Sequence, residues 1–208
     1  MSHRKNLIVG LGVVLLTVLG SVSVAEAQGY PPPYYPPPPP PPHGVYRAGI
    51  VFGFSIGVGA VEASNCGDEC GGAGALEGHL GGMIGPRTAL MFEVWGADHP
   101  WTDANGNGRE TINTFFTGAL QYWLTDVFWV KGGAGLAVIR ATVDDGYGYT
   151  ADVGDATGFA LFGAAGLELL QSYNFALDLQ FRAGNGFYDR SQGGNAQNYT
   201  LMVGFNWY

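Results

Sequence analysis

From about Ala48 to Tyr208 the chain falls into eight segments in which bulky apolar side chains alternate with small or polar ones. In the first, Ile50, Phe52, Phe54, Ile56 and Val58 alternate with Val51, Gly53, Ser55, Gly57 and Gly59. Successive side chains of a strand point to opposite faces, so a period of two predicts a strand with one bulky apolar face and one small face. Leu90, Phe92 and Val94 alternate in the same way with Met91, Glu93 and Trp95. Phe175, Leu177, Leu179 and Phe181 alternate with Asp178, Gln180 and Arg182, and the last segment sets Tyr199, Leu201, Val203, Phe205 and Trp207 on one face. The weakest segment, 76–84, places Glu77 and His79 on the small face and Leu80 and Ile84 on the bulky one. Most segments are about ten residues, the length a tilted strand needs to cross a hydrocarbon layer.

The connectors sharpen this picture because they alternate in length. Short ones fall at 85–88, 125–126 and 171–174; long polar ones run over 62–75, 97–110, 144–156 and 185–197. In a closed up-and-down barrel every second connector lies on the same rim, so one rim collects the tight turns and the other the long loops. The predicted fold class is therefore all-β: an eight-stranded antiparallel up-and-down transmembrane β-barrel over 46–208. A soluble barrel such as a lipocalin also alternates, but its apolar face points inward and its charges lie outside. Here the charged strand residues share the face that carries the glycines, so the bulky apolar face is the one expected to meet lipid.

The ends of the chain suit this route. Arg4 and Lys5 precede an apolar run from Leu7 to Val24, and Ala25-Glu26-Ala27 follows with small residues where a signal peptidase reads, so 1–27 is expected to be a cleaved secretory signal. No Cys follows that site, so lipid acylation is not expected. The stretch 28–45 is dominated by Pro and Tyr and reads as a polyproline II linker, expected on the periplasmic side. The formal net charge of −8 argues against nucleic acid, which needs clustered Lys and Arg. Glycine at 35 of 208 residues with only 12% charged residues fits a narrow barrel whose outer wall has little use for charge.

Strand parity also locates the chemistry. Counted from the tight turns, the inward residues His79, Glu93, Gln121, Lys131, Glu168, Asp178, Gln180 and Arg182 fall near one depth. Buried charges persist only when paired and hydrogen-bonded, so a lumenal polar network centred on Lys131 and Arg182 is expected. Its simplest role is a structural plug; a gated or proton-conducting path is the other reading. In the first long loop Cys66 and Cys70 are the only cysteines, and an even count in a secreted chain favours a disulfide. In the second, Asp103, Asn105 and Asn107 match the start of a D-x-N-x-N-G calcium loop, but its twelfth position is Thr114 rather than Glu. The same residues make an ordinary polar turn, so no cofactor is expected beyond weak calcium binding. Asp98, Asp144, Asp145, Asp152 and Asp155 add acid to the long-loop rim, where divalent cations could be shared with lipopolysaccharide.

Taken together, the signal, the eight strands and a last strand ending in Phe205, Trp207 and Tyr208 resemble the small outer-membrane barrels of the OmpA transmembrane-domain and OmpX type, over roughly 46–208. The resemblance implies a cell outer membrane of the Gram-negative type, with both termini periplasmic, lipid and lipopolysaccharide as surroundings, and a monomer. It also implies that Phe205, Trp207 and Tyr208 form the C-terminal signal read by the barrel-assembly machinery. Tyr208 departs from the pattern, lying one residue out of phase with the outward face that ends at Trp207. It does not extend to a cell-wall-binding domain. The expected role is structural or surface-interacting, with an unknown extracellular ligand held by the acidic loops; a narrow channel and a lipid-modifying enzyme are the alternatives. Lipid A deacylases and acyltransferases occur on this architecture, and nucleophilic catalysis would need a Ser beside a His with an orienting carboxylate. His43 lies in the linker, His79 points inward with no Ser beside it in sequence, and His99 falls in a long connector, so no catalytic residue is expected.

Overall fold

All eight alternating segments are strands in the computed structural model, which describes residues 45–63, 71–102, 108–144, 150–189 and 194–208. The strands are β1 (Ile50–Ala63), β2 (Gly71–Gly85), β3 (Thr88–Thr102), β4 (Gly108–Trp123), β5 (Phe128–Asp144), β6 (Thr150–Ser172), β7 (Phe175–Phe187) and β8 (Asn195–Trp207). Each pairs antiparallel with the next, and β1 pairs with β8, so the sheet closes into a barrel with no free edge. Closure matters in lipid, where an unpaired backbone N–H or C=O has no water to turn to.

The outward parity read from the sequence holds around the wall. Ile50, Phe52, Ile56, Leu76, Leu80, Leu90, Phe92, Leu120, Leu136, Phe159, Leu179 and Leu201 are all exposed. In water such a belt would be an aggregation surface; in a bilayer it is the face that meets acyl chains. Aromatics gather where the barrel closes: Phe54 stacks on Phe205 and Phe52 on Trp207, with ring centroids 5.0 and 5.4 Å apart. Phe205 and Trp207 thus lie outward as expected.

Three features differ from the expectation. The strands run from 13 to 23 residues rather than about ten, and most of the predicted long connectors are strand. Above the hydrocarbon a ladder needs only backbone pairing, and apolar alternation is no longer required to continue it; polar stretches there read as loop. His99 accordingly lies within β3, its Nδ1 donating to the Gly72 carbonyl at 2.8 Å. The alternation also slips in β6, where the register shifts between Glu168 and Leu170 and both Leu169 and Leu170 are exposed. Such a bulge adds one residue to a strand and re-aims its neighbours.

The tight-turn rim holds both described ends of the chain. Tyr46 N–H donates to the Tyr173 carbonyl at 2.8 Å and Tyr208 N–H to the Asn174 carbonyl at 3.1 Å. The 124–127 turn closes on Thr125, whose Oγ1 accepts from the Phe128 N–H at 2.9 Å, the local bond that suits Thr to turns.

Candidate functional site

The barrel interior is filled by side chains in successive layers. At its centre Glu93 on β3 accepts from Lys131 Nζ on β5 at 3.0 Å and from Arg182 Nη2 on β7 at 2.5 Å. Their side chains are at most 2% exposed. Glu77 on β2 lies 3.8 Å from Arg182 Nη1, accepts from His79 Nδ1 at 2.8 Å and from Ser55 Oγ at 2.6 Å. The core thus sets two carboxyl groups against an ammonium and a guanidinium group, which is the pairing that keeping charge out of water requires. Gln180 Nε2 donates to Ser55 Oγ at 2.6 Å and to Asp178 Oδ1 at 3.3 Å, and Asp178 Oδ2 accepts from Trp129 Nε1 and Asn206 Nδ2.

Aromatic rings bracket this charged layer. The Arg182 guanidinium lies 5.3 Å from the Trp95 ring centroid and 5.4 Å from that of Phe162, and Lys131 Nζ lies 5.2 Å from that of Trp129. On the long-loop side Trp95, Phe115, Phe162 and Met202 form an apolar cluster that includes Tyr188. There Tyr188 donates to Asn113 Oδ1 at 2.6 Å, and Asn113 Nδ2 to Asn198 Oδ1 at 2.9 Å.

A second polar knot stands at the tight-turn mouth. Glu168 accepts from Trp123 Nε1, Tyr208 Oη, Gln171 Nε2 and Arg47 Nη2, at 2.6–2.9 Å. Arg47 also donates to the Asp126 carbonyl at 2.7 Å and lies over the Trp123 ring at 4.8 Å. The out-of-phase Tyr208 therefore turns inward to finish this plug, against Trp123, while Phe205 and Trp207 keep the lipid side.

Of the eight predicted lumenal residues, all are buried. His79, Glu93, Lys131, Asp178, Gln180 and Arg182 lie in or beside the central knot, Gln121 is the cross-strand neighbour of Lys131, and Glu168 belongs instead to the mouth. Glu77, Ser55 and Asn206 were legible as inward by parity. Arg47 precedes β1 and has no parity to read. Cys66, Cys70, Asp103, Asn105 and Asn107 lie outside the described residues. Replacing Arg47 with Ala should lower the stability of the folded barrel by roughly 1.5–3 kcal/mol, the scale of hydrogen bonds to a charged group, read as a lower urea midpoint for the band that migrates as folded without heating.

Ser55, Glu77 and His79 place a hydroxyl, a carboxylate and an imidazole together, a juxtaposition that sequence neighbours do not reveal. Their order is wrong for nucleophilic catalysis. There the imidazole stands between hydroxyl and carboxylate and takes the hydroxyl proton; here the carboxylate stands between, and Ser55 donates to Glu77. Ser55 is fully buried, so no substrate carbonyl reaches it.

No family model and no curated protein matches the chain. Solved structures do match. Ail, the attachment invasion locus protein of Yersinia pestis, in complex with the heparin analogue sucrose octasulfate, superposes with a TM-score of 0.55 at 12% identity, covering 77% of this chain and 99% of that one. A second Ail structure gives 0.54 at 11% identity with the same coverage. Neisserial surface protein A gives 0.51 at 16% identity, covering 76% and 95%. At these identities the likeness is one of fold, and the fold of this chain is that of the small eight-stranded outer-membrane β-barrels, with the exposed apolar belt as the surface that seats it in the membrane.

Proposed function

We propose that the chain is a plugged outer-membrane barrel whose work is done by its long-loop rim, as a structural and surface-interaction protein rather than a pore. The observation that carries this reading is the double closure of the lumen, by Glu93 with Lys131 and Arg182 at the centre and by Glu168 with Arg47 and Tyr208 at the mouth. An eight-stranded barrel has an interior just wide enough for side chains to fill. Both described ends of the chain lie at the tight-turn rim, and on this reading that rim faces the periplasm and the loops face out.

In the sequence, the segments that join the strands at this rim, with the strand ends beside them, carry Asp68, Glu69, Asp103, Asp144, Asp145 and Asp152, so the ligand class they suit is basic, or anionic and bridged by divalent cations. A polyanion such as the one named with Ail is not carried over, because the charge of this rim is of the wrong sign for it. Reconstituted in planar bilayers, the folded protein should show no stable unitary conductance. Stable conductance that changes with Lys131→Ala or Arg182→Ala would replace this reading with that of a narrow channel. Deleting 103–107, or replacing both cysteines with Ser, should alter binding to cationic surfaces while leaving heat-modifiable migration unchanged.

A further inference from the structure

The lipid-facing wall is not uniformly bulky. On β2 and β3 the outward positions Gly74, Gly78 and Gly96 carry no side chain, and with Ile56, Val94 and Ile112 as walls they leave a groove of about 670 Å³. That lies within the roughly 300–1,000 Å³ typical of small-ligand sites. Packing inside the barrel does not require Gly74 or Gly78 to be small. A Cβ at Gly74 would meet nothing within 4 Å, and one at Gly78 only the Gly53 carbonyl oxygen at 4.0 Å. Inward glycines differ: a Cβ at Gly57 would come 2.7 Å from the Met202 Cα.

One end of the groove is polar. Asp98 borders it, its buried Oδ1 meeting no donor among the described residues, and the Glu110 carboxyl abuts it from β4. These acceptors call for hydroxyl or amide donors. On the same cross-strand row, Asp98 pairs with Ile112 and Ile112 with Arg140, which places Arg140 two strand spacings, roughly 10 Å, from Asp98. Arg140 is exposed and has no hydrogen-bond or ion-pair partner among the described residues, although Asp155 stands across from it on β6. An exposed cation beside an apolar groove calls for an anion.

We propose that this groove seats one acyl chain of a lipopolysaccharide-class lipid. The hydroxyacyl and amide donors near the head of that chain would meet Asp98 and Glu110, and a headgroup phosphate would meet Arg140. A glycerophospholipid has ester acceptors at that depth and leaves the two carboxyl groups unmatched. The groove lies toward the long-loop rim, the leaflet in which such glycolipids reside. The proposal rests on the outer-membrane reading, and its test separates the two.

The test uses the full chain folded in vesicles, then native mass spectrometry after exposure to purified lipid A together with equimolar phosphatidylglycerol and phosphatidylethanolamine. The wild type should retain one lipid A. Gly74→Leu with Gly78→Leu should lower the retained fraction at least tenfold, Arg140→Gln should lower it several-fold, and Gly132→Leu, an outward glycine on β5, should leave it unchanged. Equal retention by the groove-filled variant and the wild type, or retention of phosphatidylglycerol in place of lipid A, overturns the proposal while the barrel stands. Where the double variant does not fold, Arg140→Gln decides alone, and unchanged retention there overturns it. Failure of the wild type to insert, seen as loss of heat-modifiable migration, overturns the membrane reading itself.

Discussion

Glu93→Ala should destabilise the folded barrel by about 3–5 kcal/mol, the range for breaking a buried ion pair by removing one partner. Glu93 is the shared acceptor of Lys131 and Arg182, and all three side chains are at most 2% exposed. Its loss leaves Lys131 without its hydrogen-bonded carboxylate and Arg182 facing Glu77, which lies 3.8 Å away and is already engaged by Ser55 and His79. Arg182 is poorly placed to compensate, since its Nε and Nη1 already lack hydrogen-bond partners. The measurement is the urea midpoint of the folded band in lipid vesicles. Arg182→Met should cost less than Glu93→Ala, because Lys131 still pairs with Glu93. Combining Glu93→Leu, Lys131→Met and Arg182→Met with Glu77→Gln, which removes the carboxylate that Arg182 also faces, should recover most of the loss, since replacing a buried charge group as a whole by uncharged side chains is often neutral. An unchanged midpoint for Glu93→Ala would mean that water solvates the two cations, and the plug would then be no plug.

Much of this arrangement was legible because a strand has only two faces. The charges at 131, 178 and 182 share parity with glycines, and these and Glu93 oppose Phe and Leu, so their burial follows from the period alone. Depth came from counting along strands from the tight turns, and the count brought Glu93, Lys131 and Arg182 together correctly. Glu168 belongs to the mouth instead, where Arg47, Gln171 and Tyr208, from the described chain ends and the adjacent turn, reach it. Arg47 was invisible because it lies before the first strand, where no alternation constrains it. Tyr208 was seen to be out of phase, and that offset is what turns it inward onto Glu168. Strand ends were the least legible, since apolar alternation is imposed by lipid and stops where lipid stops, while the ladder continues.

The glycines offer the second large effect, and the sharpest contrast between the faces. Gly135 on β5 and Gly118 on β4 lie one residue apart in the ladder, since Gly135 pairs with Thr117. They point to opposite sides of one wall. A Cβ at Gly135 would run into the Phe116 carbonyl oxygen and come 2.8 Å from the Thr117 Cα, both backbone atoms that no side-chain rotation can clear. The neighbouring strand would have to move, in a closed barrel where each strand is held on both edges. Overpacking of this kind costs about 1–3 kcal/mol, occasionally more, so Gly135→Ala should lower the urea midpoint and Gly135→Val should lower it further or prevent folding. A Cβ at Gly118 meets nothing within 4 Å, and Gly118→Ala should be neutral or slightly stabilising, by up to about 1 kcal/mol through reduced freedom of the unfolded chain. Equal midpoints for Gly135→Ala and Gly118→Ala would show that the inner wall has slack, and the close approach of β4 to β5 would lose its role in fixing the narrow lumen on which the plug depends.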